Sequence, residues 1–170
     1  MNRTSEGPPI SEAKTGSRHG DERPQFTRQS VEQLIARRHA LGEPELFLKS
    51  ADLSGLDLSG LELHNANLRE ARLSGCDLHE ADLSGADLMK ADLSFSDLNK
   101  AVLFQANLTA AIIREATLAF ADARRANFTL ADLSLSNLRE AKLSGAILDQ
   151  ADLTETNLHG AIMPNGSRHA

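Results

Sequence analysis

The amino-acid sequence predicts an all-β solenoid: a chain wound into about six stacked four-sided coils behind a helical cap. Three observations predict it. From Leu46 to Asn165 run 24 five-residue units without a break in register, twenty of their central residues are Leu, and a small residue, usually Ala, stands two places before each centre. The central residues fall at positions ending in 3 or 8, the exceptions to Leu being Ile113, Ala123, Phe128 and Met163.

A period of five excludes the two regular alternatives. On an α-helix, residues five apart differ by roughly 140°, so the leucines would scatter around the cylinder. In a straight strand the side-chain period is two, and an odd spacing would send successive leucines to opposite faces. What survives is a chain that runs extended for about three residues, buries the small residue and the Leu on one inner face, and then turns a corner. Each unit becomes one side of a coil.

The number of sides follows from the seven small-position residues that are not Ala, namely Leu46, Leu56, Leu61, Cys76, Ser96, Ser136 and Thr156. Taken at a period of twenty, five of the seven fall in the single column 56, 76, 96, 116, 136, 156. Four sides per coil is the period this clustering favours. Six coils at the strand spacing of about 4.8 Å give a rod core about 29 Å long. With no Trp, no Tyr and six Phe, the interior must be narrow and filled by Leu and Ala. Ala123 would leave a hole, and Phe128, the only aromatic centre, is expected to fill it from the same coil.

A stacked coil exposes unpaired edges and apolar core at its end, so a cap is required. Residues 26–45 supply it. Ser30, Val31, Glu32 and Gln33 have capping-box spacing, Val31, Leu34, Ile35 and Leu41 fall on one helical face, and Gly42 with Pro44 ends the segment. The spacing predicts a helix over about 31–41. Residues 1–25, rich in Pro, Gly, Ser, Arg and Glu, read as a disordered tail without the apolar run of a signal peptide, and residues 166–170 as a second one. The C-terminal coil is expected to be open, with two outcomes. One is an end-to-end homodimer through Leu143, Leu148, Leu153, Leu158 and Met163; the other is a monomer whose tail folds over the end.

The whole chain has a formal charge of −6, but residues 46–165 hold ten bases against seventeen acids. That excess argues against direct nucleic-acid binding, which needs clustered Lys and Arg. No stretch of 18 apolar residues offers a transmembrane helix, and a single cysteine, Cys76, excludes an intrachain disulfide. The default expectation is a cytoplasmic protein.

The residues also argue against catalysis. Phosphate-loop, nucleophile-elbow, zinc-helix and calcium-loop motifs are absent. His64, His79 and His159 take outward slots, and the two that share a column, His79 and His159, lie about 19 Å apart, too far to share a metal. Cys76 takes an inward packing position. Ten Asp precede a central residue on a convex rod without a cleft, where a catalytic pair would need two different environments. No cofactor is expected.

What remains is binding to a protein partner. Asp52, Asp57, Asp77, Asp82, Asp87, Asp92 and Asp97 offer carboxylates in the more acidic N-terminal half, Asp57, Asp77 and Asp97 stacking on one side. Val102 and Phe104 flank Leu103 on another side, and Phe95, Ile112, Phe120, Leu130 and Leu135 also occupy outward slots in the middle coils.

The A(D/N)LXX pattern, as in Ala81-Asp82-Leu83-Ser84-Gly85 and Ala106-Asn107-Leu108, resembles the pentapeptide repeat proteins over about 120 residues. The resemblance implies a right-handed quadrilateral β-helix and no single activity. Well-studied members inhibit or protect DNA gyrase and look like mimics of duplex DNA, so a modulator of a type II topoisomerase is the alternative function it implies. Here Arg69, Arg72, Arg114, Arg124, Arg125 and Arg139 interrupt the acidic surface, and no loop is inserted between coils.

Overall fold

In the computed structural model, which describes residues 26–170, one helix leads into a chain whose parallel β-bridges all join residues twenty apart, from Phe47 with Asn67 to Lys142 with Ile162. Four five-residue units therefore separate each position from the one stacked on it. Side one is centred on Leu48, side two on Leu53, side three on Leu58 and side four on Leu63, and each recurs every twenty residues.

The backbone accounts for itself within one unit. Leu53 donates to the Arg72 carbonyl of the next coil (2.8 Å), Gly55 to Ser74 (2.9 Å), and Arg72 back to Ala51 (2.9 Å). Leu56 closes the corner by donating to Leu53 (3.1 Å). The last residue of every unit from Ser50 to Gly160 has a positive φ, and at seventeen such places it is not Gly. The remaining N–H, one place after the central residue, points away from the ladder. Where the repeat has Asp or Asn before its centre, that side chain satisfies it: Ser94 donates its backbone N–H to Asp92 Oδ1 (3.0 Å), and its hydroxyl donates to the same oxygen (2.7 Å). All ten Asp at this position accept such a bond. In the unit where Ile162 replaces the Asp, the N–H to be satisfied is missing, because that position is Pro164.

The core is one continuous column of the small and central residues, with Leu48, Leu53, Leu58 and Leu63 at most 1% exposed in the first coil. Ala123 and Phe128 are both buried in it.

The helix α1 (Arg28–Leu41) begins earlier than the spacing predicts. Thr27 is the N-cap: its hydroxyl accepts from the Ser30 backbone (3.2 Å), and Ser30 Oγ accepts from the Thr27 backbone (2.9 Å). A hydroxyl at each end of a three-residue span makes the same reciprocal box as Ser with Glu, and shifts the start by one turn. Gly42 ends the helix with φ 64°, as its position predicts. Val31 and Ile35 are buried against the core and Leu34 packs beside it, but Leu41 is 60% exposed. The inward position near the C-terminus belongs instead to Arg38, 3% exposed.

Two expectations about the ends are corrected or set aside. The disordered tail expected over 1–25 lies outside the described residues. The tail expected over 166–170 is instead folded back: Arg168 pairs antiparallel with Ile162, Met163 donates to Ser167 (2.7 Å), His169 donates to Ala161 (2.8 Å), and Arg168 holds Glu140 (2.5 Å). The Ile162 edge has no further coil to pair with, and Gly166 at φ 84° lets the chain reverse to supply one.

Candidate functional site

The seven acidic candidates do not form one face. Bridges stack Asp57, Asp77 and Asp97 on side three, as the period of twenty predicts. Asp52 and Asp92 lie on side two with Arg72 between them, Asp82 on side four directly below Val102, and Asp87 on side one between Asn67 and Asn107. Every one of these carboxylates spends Oδ1 on its own corner, a role that position in the repeat did not disclose.

Several are further engaged. Arg28 of the cap reaches Asp57 Oδ1 (2.7 Å), Arg69 reaches Asp87 Oδ2 (3.0 Å), Arg72 lies 3.5 Å from Asp52, and the His64 ring faces Asp82 at 3.8 Å. The Ser59 hydroxyl and backbone N–H, followed by Arg28, hold the Asp57 carboxyl below the ordinary carboxylate range. Among the described residues Asp77, Asp92 and Asp97 form no ion pair.

Apolar side chains gather in the middle coils. Val102 and Phe104 are half-buried on side four, while Phe95 (61% exposed), Phe120, Leu130, Ile112 and Leu135 stand out into solvent. Phe95, Phe120, Leu130 and Leu135 occupy positive-φ corners, with φ between 60° and 61°.

The proposed end contact is only partly placed where the sequence puts it. Leu148, Leu153, Leu158 and Met163 belong to the last coil and are half-buried, but Leu143 lies one layer in and is fully covered, its N–H bonded to the Ile162 carbonyl (2.7 Å). The folded-back tail supplies a strand to side four of that coil, where Met163 sits.

Cys76 is buried, its thiol donating to the Leu53 carbonyl (2.9 Å), and burial pushes it up to about 11. Among the described residues no group of three or more His, Cys, Asp or Glu is gathered as a metal site, and no helix is long and apolar enough to cross a membrane. Beside the helix, a concavity lined by Glu32, Ile35, Ala36, His39, Gly60, Leu61 and Glu62 opens broadly to solvent.

Eight copies of the Pentapeptide repeats family model match the chain, over residues 48–85, 66–103, 93–129, 101–139 and 131–165. Among curated proteins none matches. Of solved structures, HetL, a pentapeptide repeat protein involved in heterocyst differentiation regulation from the cyanobacterium Nostoc sp. strain PCC 7120, is 35% identical over 74% of this chain and 68% of its own (TM-score 0.46). A pentapeptide repeat protein from the Arabidopsis thaliana thylakoid lumen is 32% identical over 64% of this chain and 65% of its own (TM-score 0.28). Full-length QnrB1, a plasmid-mediated fluoroquinolone resistance protein, is 19% identical over 70% of this chain and 72% of its own (TM-score 0.41). With the family model matched from 48 to 165, more than half of its length, the chain belongs to the pentapeptide repeat family, whose fold is a right-handed β-helical solenoid.

Proposed function

We propose that this protein is a noncatalytic interaction module: a rigid rod of six coils over residues 46–165, capped by 26–45, that offers acidic and apolar side faces to a protein partner. The observation that carries the reading is the column Asp57, Asp77, Asp97, three carboxylates bridged one above another, of which Asp57 is met by Arg28 of the cap while Asp77 and Asp97 form no ion pair among the described residues. Like charges held in register about 4.8 Å apart repel, and a basic partner relieves that repulsion. Oδ1 of each is committed to the corner, so Oδ2 is the atom left to meet the partner. Val102, on the neighbouring side four, supplies apolar contact.

Replacing all three with Asn tests the reading, because the amide oxygen still accepts the corner bond while the charge is removed. A partner captured by the wild-type rod and lost by the triple variant supports it; binding that survives sinks it. The topoisomerase alternative is separated by a supercoiling assay, in which no effect at high micromolar protein removes it. The half-buried leucines of the last coil are the proposed contact for a second copy, and sedimentation of Leu153→Asp against wild type tests that contact.

A further inference from the structure

Sequence order interleaves the four sides, so the arginines that interrupt the acidic pattern look scattered; stacking gathers three of the six, Arg124, Arg125 and Arg139, on one flank. Side four and the corner leading into it carry Lys100, Arg124, Arg125, Arg139 and Lys142, all exposed, around Phe104 and Phe120. Lys142 is bridged directly above Asp122, and Asp122 above Val102. Phe120 donates its backbone N–H to the Arg139 carbonyl (3.0 Å), so ring and guanidinium belong to successive coils. Arg124 and Arg125 approach the Phe104 ring at 5.7 and 6.0 Å, and Arg139 lies 6.0 Å from the Phe120 ring. Lys100 is paired with Glu80 and Arg124 with Asp122, but among the described residues Arg125, Arg139 and Lys142 form no ion pair.

We propose that this cation-aromatic flank is a second binding surface, opposite in sign to the Asp column, for a short extended acidic segment of a protein. A guanidinium resting on a phenyl ring keeps its N–H edges available, and those edges match carboxylates in bidentate pairs. The half-exposed rings accept an apolar side chain from the same segment. Phe120 occupies its corner at φ 61°, a left-handed conformation it shares with Glu80, Lys100 and Glu140 of the same column. The patch spans three coils, about 14 Å with its edges, which suits four or five extended residues. A long polyanion running down the rod fits it poorly, because the coils below carry Asp97, Asp77 and Asp57 on side three and Asp82 on side four. The surface rests on the reading of the rod as an interaction module, but not on the Asp column.

The probe is a fluorescein-labelled peptide, Glu-Glu-Leu-Glu-Glu, followed by anisotropy against the full chain. Saturable binding is expected, weakened at least tenfold by Arg125→Ala with Arg139→Ala and unchanged or tightened by the Asn triple variant of Asp57, Asp77 and Asp97. All these positions lie on the surface, and circular dichroism confirms that the variants are folded. Absence of saturable binding by wild type, equal binding by the double Arg variant, or tighter binding of an oligothymidylate of equal charge overturns the proposal. Because the Asn variant keeps the Arg flank, failure of the acidic column appears only in partner capture, and failure of the basic flank only here.

Discussion

Arg38, in the last turn of α1, donates a 2.9 Å hydrogen bond from its guanidinium to the carbonyl oxygen of His64, in the first coil. The same group lies within 3.5 Å of the Glu62 carbonyl, 3.1 Å of the His39 ring and 3.2 Å of the His64 ring nitrogen. A side chain at 3% exposure thus ties the cap to the coil it covers. The charge is placed where a helix C-terminus favours it.

Arg38→Met keeps the length of the side chain and removes the donors. Two carbonyls then lose a charged partner at the cap interface, for a cost of about 2–3 kcal/mol. Urea denaturation is expected to show that loss, and hydrogen exchange to show faster opening of residues 28–41 than of the coils above.

Asp92 separates the two properties of the repeat's acid. Asp92→Asn should be nearly neutral to stability, since the amide oxygen still accepts from Ser94, whereas Asp92→Ala leaves that N–H to solvent and should cost about 1 kcal/mol. Thermal melts of the two variants check the ordering, and equal melting temperatures would show that the corner bond is dispensable.

Ala123 and Phe128 stand buried on successive sides of the stack, where a large ring is expected to fill the space the small residue leaves. Ala123→Leu alone is expected to overpack the core by about 1–3 kcal/mol, and Phe128→Leu alone to leave a void. Together they should restore most of the loss, giving a favourable coupling in a double-mutant cycle. Additive losses would mean that the two positions do not share space.

Stability should hold from neutral pH down to about pH 4 and fall below it. Asp57, Asp122 and Asp152 are held under the ordinary Asp value of 3.8, chiefly by the Ser59 hydroxyl, the Arg124 guanidinium and the Thr154 hydroxyl respectively. A carboxylate whose folded value is lowered stabilises the fold above its unfolded value, and that contribution disappears as pH falls through the folded one. Melting temperatures at pH 7, 4 and 3 test this, and Asp57→Asn with Asp152→Asn should flatten the acidic limb.

The period carried the architecture because a buried residue at every fifth place is a statement about backbone direction, which tertiary contacts cannot override without emptying the core. The helix start was less legible: Thr27 and Ser30 are both capable caps, and only the reach of their hydroxyls separates them. Arg38 was missed because an arginine in a polar helix reads as solvated, and its partners are carbonyls, which leave no trace in sequence. The role of Asp in closing each corner was hidden for a related reason: it depends on which backbone N–H the ladder leaves out. The basic flank was hidden by order, since Phe104 meets Arg124, and Phe120 meets Arg139, only once the four sides are wound up. The return of Arg168 to Ile162 depends on an unfilled edge, which local composition does not describe.

The twenty-residue spacing of the bridges also sets how such a rod can change its length. Removing one five-residue unit preserves the alternation of small and large core residues, yet turns everything above the cut by a quarter revolution and brings unrelated columns into register. Removing twenty residues shortens the rod by one storey and leaves each flank facing the same way. Insertions and deletions in this chain are therefore graded by their remainder: multiples of five conserve folding, and only multiples of twenty conserve the pattern of charge.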